Sequence, residues 1–170
     1  MELAMTRPLW QTALGLLGWL LACYLVAALA AGVSPGLSSN TAWYQQLIKP
    51  AWNPPNWLFG PVWSTLYTLM GISAWLIWKE YGFEGAGFAI SVFLLQLLLN
   101  GLWSFFFFEW KMIGAAFIEI ILLVLTIIYT MYVFSEYSAL AAWLLAPYLA
   151  WVSFATALTG TIWWLNRVAS

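Results

Sequence analysis

The sequence predicts an all-α membrane protein, a bundle of five transmembrane helices with a long folded loop between the first and the second. Three observations carry that reading. Hydrophobic residues make up 65% of the chain and charged residues 6%, with a mean hydropathy of +0.89, whereas a soluble domain carries about 25% charged residues. Five segments reach the roughly 20 apolar residues that a spanning helix needs. The breaks between them hold the charges: Lys79, Glu80 and Glu84, then Glu109 and Lys111, then Glu136, with Arg167 after the last segment. At 170 residues the chain fits one integral membrane domain, 1–170, with no room for an appended soluble module.

The first helix is expected near 9–31. An apolar stretch after Arg7 can also read as a signal peptide, but this one is longer than the ~7–15 residues of a signal core. Segment 32–56 follows, too long for a simple turn, and loops of that length are commonly functional or disordered. Trp43, Tyr44 and Trp52 argue for order. Asn40 is placed to cap a short helix over 41–48, with Trp43, Tyr44 and Leu47 on one face and Pro50 as its stop. Asn53-Pro54-Pro55 then caps and starts the second spanning helix, 57–78, since proline is tolerated in a first turn. The loop reads as a lid over one end of the bundle.

The remaining helices are expected near 85–108, 112–134 and 139–165, joined by short connections that make neighbours antiparallel. Five crossings put Arg7 and Lys79 on one side and Lys49, Lys111 and Arg167 on the other. The excess of positive residues on the cytoplasmic side then favours a cytoplasmic C-terminus by three to two.

Periodicity selects the inward faces. Trp63, Tyr67, Met70 and Ala74 share one face of the second helix, and Gln96, Asn100 and Trp103 one face of the third. Amides are costly against lipid, so that face looks into the bundle, either as interhelical hydrogen-bond glue or as ligand contacts. Glu119 lies about seven residues into the fourth helix and must face the interior or reach toward an interface. It reads as a polar ligand contact or proton site, or as a buried acid bonded to a neighbouring helix. On the fifth helix Pro147, Trp151 and Ala155 lie close to one face, and Pro147 frees the Trp143 carbonyl and permits a kink. Ala139, Ala142, Ala146 and Ala150 allow close packing, within the chain or against a second copy.

Composition excludes several kinds of chemistry. With no His, no Asp and one cysteine, Cys23, there is no internal disulfide, no histidine base or haem ligand, and no metal-site pattern. A net charge of −1 without a basic run argues against nucleic acid. No catalytic residue is assigned. Fourteen tryptophans remain, at 43, 52, 57, 63, 75 and 78 among others, more than two interfacial belts require, and they point to a surface for something flat and apolar. Trp57, Trp110, Trp163 and Trp164 fit belts or packing, whereas Trp63, Trp103 and Trp151 come from three helices and fit one cavity.

The run KPAWNPPNWLFGPVWSTLYTLMG, 49–71, resembles the signature of the tryptophan-rich sensory protein family, whose mitochondrial members are called translocator protein or peripheral-type benzodiazepine receptor. WYQQL at 43–47, QLLLNGLW at 96–103 and PYLAWVSFATAL at 147–158 agree in the same order. The resemblance implies a five-helix bundle, often a homodimer, with a cavity closed by the first loop. Family ligands include porphyrins such as protoporphyrin IX, cholesterol and benzodiazepine-site compounds. The family's cavity positions fall on Tyr44, Trp63, Tyr67, Asn100, Trp103, Trp151 and Ala155.

Adding Gln96, Glu119 and Pro147 from the periodicity gives the full candidate ligand-binding set. The resemblance implies porphyrin as a ligand rather than a required cofactor. It implies a cell membrane if the chain is bacterial and the outer mitochondrial membrane if eukaryotic. It also permits light-dependent degradation of a bound porphyrin, for which Trp63 and Trp151 would be the nearby oxidisable groups. The sterol-recognition stretch of animal members is broken here, with Gly160 where its Tyr would lie. Active transport has little support: there is no inverted repeat, charged pathway or pair of broken helices.

Overall fold

The computed structural model describes residues 7–35 and 41–167, and its architecture is all-helical. In chain order the elements are α1 (Leu9–Val33), α2 (Thr41–Gln46), α3 (Asn56–Ser104), a π-helical turn (Phe105–Glu109), α4 (Ile113–Ser135), α5 (Ala139–Leu144) and α6 (Ala146–Arg167). Among the described residues, four helical stretches are long and apolar enough to cross a membrane: Leu9–Val33, Asn56–Glu109, Ile113–Ser135 and Ala139–Arg167.

The segments expected at 57–78 and 85–108 form one element, α3, and its backbone explains how. Helical dihedrals fail at Gly82 (φ 66°, ψ −171°) and Ala86 (φ −126°, ψ 22°). The first of these conformations is open essentially to glycine alone. The Tyr67 hydroxyl donates to Asn100 Oδ1, 33 positions further on, although a straight helix would hold those residues about 50 Å apart. α3 therefore reverses between Gly82 and Ala86 and runs back along itself. Tyr81 and Tyr137 brace the reversal: their rings meet edge to face at 5.0 Å, and the Tyr137 hydroxyl donates to Gly85 O at 3.4 Å.

Other boundaries moved for local reasons. α2 ends at Gln46, four residues before Pro50, and the proposed cap Asn40 lies outside the described residues. Asn53 does not cap α3; its amide donates to Pro54 O at 3.0 Å, and Pro55 (φ −65°, ψ 144°) is the residue before the first turn. The last expected helix is two, broken at Leu145, two residues before Pro147. Proline lacks the N–H that Trp143 O would have accepted, and Leu145 N donates instead to Ala142 O at 3.1 Å.

The main core gathers one face of each long helix: Trp19 and Cys23 of α1, Met70, Ala74, Ile77 and Phe93 of α3, Ile120, Leu123, Ile127 and Phe134 of α4, and Tyr148 and Val152 of α6. A second cluster sits under α2, where Tyr44, Phe107, Ala116, Leu158 and Ile162 pack together. The two ends of the bundle carry different cations. Arg7 Nε donates to Lys79 O at 3.2 Å at one end. At the other, the Lys111 ammonium lies 5.8 Å from the Trp43 ring and Asn166 bonds to Ile48.

Candidate ligand cavity

α2 is held over the bundle end by polar contacts that its sequence supplies. The Lys49 ammonium donates to Tyr44 O (2.7 Å) and Leu47 O (2.9 Å), closing the segment on itself. Ile48 N donates to Asn166 Oδ1 at 3.0 Å and Ile48 O accepts from Asn166 Nδ2 at 2.9 Å, a two-point tie to the end of α6. Tyr44 is buried between the Phe107 and Phe108 rings, at 6.4 and 5.7 Å. Burial raises the Tyr44 hydroxyl above its ordinary pKa, opposed by a hydrogen bond with Asn53, and burial lowers that of Lys49.

Beneath this cover lies a cavity of about 370 Å³, within the ~300–1,000 Å³ range of small-molecule sites and at its small end. Its walls come from every long helix. α1 contributes Tyr24, Ala27 and Ala31; the first half of α3 Phe59, Gly60, Trp63 and Tyr67; the second half Asn100 and Trp103; α4 Ile120 and Leu123; and α6 Trp151, Val152 and Ala155, with Tyr44 at the top.

Seven of the candidate residues thus share one space: Tyr44, Trp63, Tyr67, Asn100, Trp103, Trp151 and Ala155. The aromatic walls are mutually braced. Trp63 packs on Tyr67 (5.5 Å) and on Tyr148 (6.4 Å), Trp151 on Phe59 (5.8 Å), and Trp103 stacks on Phe107 (5.2 Å). Polar groups are few. Tyr67 orients Asn100 by donating to its Oδ1, and the Asn100 amide offers two donors of its own. Trp103 Nε1 finds no hydrogen-bond partner among the described residues. The space can therefore hold a largely flat, apolar molecule, with the Asn100 amide on its wall as a polar contact.

The other three candidates are not on the cavity wall. Gln96 lies one turn deeper than Asn100, 1% exposed, with neither amide atom partnered among the described residues. Glu119 is 6% exposed and both its carboxyl oxygens lack partners there, although its neighbour Ile120 lines the cavity. Pro147 is exposed on the outer side of α6; the inward face centres on Trp151, Val152 and Ala155, and one turn back it has rotated away.

Sequence reasoning also missed residues. Phe59 and Asn56 continue the Trp63 face backward at i−4 and i−7, so the spacing contained them. Tyr24, Ala27 and Ala31 fall at i, i+3 and i+7 on α1, but in a helix of nearly uniform apolarity no contrast marked that face.

Comparison with known proteins places these features in context. The TspO/MBR family model matches residues 19–165. The human protein named Translocator protein is 37% identical over 159 residues, covering 92% of this chain and 90% of that one. Tryptophan-rich protein TspO of Chlorobaculum tepidum is 41% identical over 128 residues, 73% of this chain and 79% of its own. Protein CrtK of Rhodobacter capsulatus is 37% identical over 149 residues, 86% and 92%.

Proposed function

The chain belongs to the TspO/MBR family, and from that premise we propose that it is a membrane receptor or carrier that binds a protoporphyrin IX-like tetrapyrrole in the cavity under α2. The carrying observation is the convergence of three indoles, Trp63, Trp103 and Trp151, from three helical segments on one space beside the Tyr67–Asn100 pair. Indole faces stack on a macrocycle, and the Asn100 amide suits a carboxylate on it. Lys49 is engaged with carbonyls of its own segment, which makes it a poor partner for those carboxylates. Other flat apolar ligands, sterols or benzodiazepine-site compounds, fall within the same proposal.

Protoporphyrin IX titrated into purified protein tests this through quenching of tryptophan fluorescence. The Trp63→Ala, Trp151→Ala double variant is expected to bind about 5- to 150-fold more weakly, on the scale of two lost aromatic contacts of ~0.5–1.5 kcal/mol each. Equal affinity in both proteins sinks the site assignment.

Trp63 and Trp151 on the cavity wall favour one second reading, photosensitised degradation of the bound porphyrin. Porphyrin absorbance that falls under light no faster than in a detergent blank excludes it. The proposal further includes five membrane crossings, with the reversal at Gly82–Ala86 exposed to one aqueous side, and a homodimer. Labelling of Glu84→Cys by a membrane-impermeant thiol reagent and cross-linking in vesicles test these two points.

A further inference from the structure

Towards the end of the bundle that holds Arg7, α1 and the first half of α3 are locked together. Trp75 Nε1 donates to Thr12 O at 2.9 Å. Gly71 approaches α1 so closely that a Cβ there would lie 3.2 Å from Leu20 Cα. Gly15 fills the same role against the Trp78 indole. Towards the lid both helices line the cavity. There Tyr24 bridges them: its hydroxyl donates to Ser64 O at 3.1 Å and shares a 2.9 Å hydrogen bond with Thr68 Oγ1. Beyond it, among the described residues, Ala27, Ala30, Ala31 and Ser34 of α1 and Asn56, Phe59 and Gly60 of α3 stand on the cavity wall, and a Cβ on Gly60 would meet nothing within 4 Å.

This seam faces outward. Tyr24 is 41% exposed, and Gly60 and Ser64 are exposed although both line the cavity. The flank around it is the lipid-facing side of α1, where Leu17, Leu21, Leu25 and Leu29 stand exposed. The lid end is tied by the Ile48–Asn166 pair and by buried Tyr44.

We infer that the cavity is filled from the bilayer, through the gap between α1 and the first half of α3, by slender or flat apolar molecules dissolved in the lipid, with the Tyr24 hydroxyl as the latch. This rests on the cavity being a binding site, not on which ligand occupies it. The latch is a hydrogen bond between helices that carry mainly small side chains beside it, so releasing it opens the gap without unpacking the lower half of the pair. Nothing apolar then has to cross water or displace α2.

The protein in phosphatidylcholine vesicles, photolysed with a lipid-soluble alkyl diazirine and mapped by mass spectrometry, tests the route. Trp63, inside the cavity, is expected to be labelled in the unaltered protein. Tyr24→Phe, which loses only a hydroxyl, and Thr68→Val, which exchanges one for a methyl, should raise that label about threefold, the scale of one interhelical hydrogen bond in a membrane. A disulfide between Tyr24→Cys and Thr68→Cys should lower it, and reductant should restore it. Label on Trp63 that ignores all three changes, or that rises only in Asn166→Ala, overturns the side entry in favour of the lid end. Protoporphyrin IX quenching on the same samples separates the two readings: label that follows Tyr24 without any quenching keeps the route and removes the tetrapyrrole.

Discussion

The Tyr67 hydroxyl donates to Asn100 Oδ1 across the two antiparallel halves of α3, joining the floor of the cavity at the point where both halves contribute an aromatic wall. The bond is buried, so the phenol holds the amide in one orientation and the amide fixes the phenol against Trp63.

Tyr67→Phe is expected to destabilise the protein by about 0.5–1.5 kcal/mol, since interhelical hydrogen bonds in membranes average ~0.6 and the amide oxygen loses its partner. Unfolding in mixed detergent measures it. No change in stability would mean that Asn100 finds another donor.

Gly82→Ala should cost more, about 1–3 kcal/mol, because a φ of 66° with ψ −171° is a conformation that a side chain resists. Ala at Gly87, where an added Cβ would meet nothing within 4 Å, is the control. Equal stability in the two variants argues against strain as the reason for glycine at 82.

Glu119→Leu is expected to be neutral or stabilising. A buried carboxyl without a partner among the described residues loses its desolvation cost when an apolar group of similar length replaces it. A loss of more than ~1 kcal/mol would show that Glu119 is engaged by a water, a ligand or a second chain.

Gly160→Tyr, which restores the aromatic residue of the animal sterol stretch, should destabilise the chain and confer no sterol affinity. A Cβ at 160 would lie 2.7 Å from the Phe117 ring, and overpacking of this kind costs about 1–3 kcal/mol. A well-folded variant that gains cholesterol binding contradicts this.

Asn166→Ala removes both ties to Ile48. Amide hydrogen exchange over 44–49 should speed by about tenfold, as expected for the loss of two hydrogen bonds of ~0.5–1.5 kcal/mol each at a partly exposed site. Unchanged exchange would assign the hold on α2 to the Tyr44 cluster alone.

Much of this arrangement was legible because the residues that matter contrast with their surroundings. Asn100 is an amide in a leucine run, and Trp63, Trp103 and Trp151 recur at helical spacing, so their faces could be read directly. The same logic failed on Pro147, because a face read at i, i+4 and i+8 rotates by ~80° over its length and only part of it met the cavity. It failed on α1 because alanine and leucine give no contrast within a lipid-embedded helix. Glycine at 82 was visible as a residue, but its dihedrals, and with them the reversal of α3, depend on tertiary packing that the local pattern does not encode. The polar atoms of Gln96 and Glu119 were rightly turned from lipid, yet periodicity cannot separate a cavity wall from the layer behind it.

The exposure of cavity-wall residues Tyr24, Gly60 and Ser64 between α1 and α3 has a consequence for measurement. A wall with a gap onto hydrocarbon makes the acyl chains part of the vessel that the ligand sees. Affinity would then scale with the mole fraction of ligand in the lipid, not with its aqueous concentration. Isotherms taken at different lipid-to-protein ratios should diverge when plotted against total ligand and collapse to one curve when plotted against ligand per lipid. Chain length and unsaturation become variables of recognition, as much as any side chain at Trp63 or Trp151.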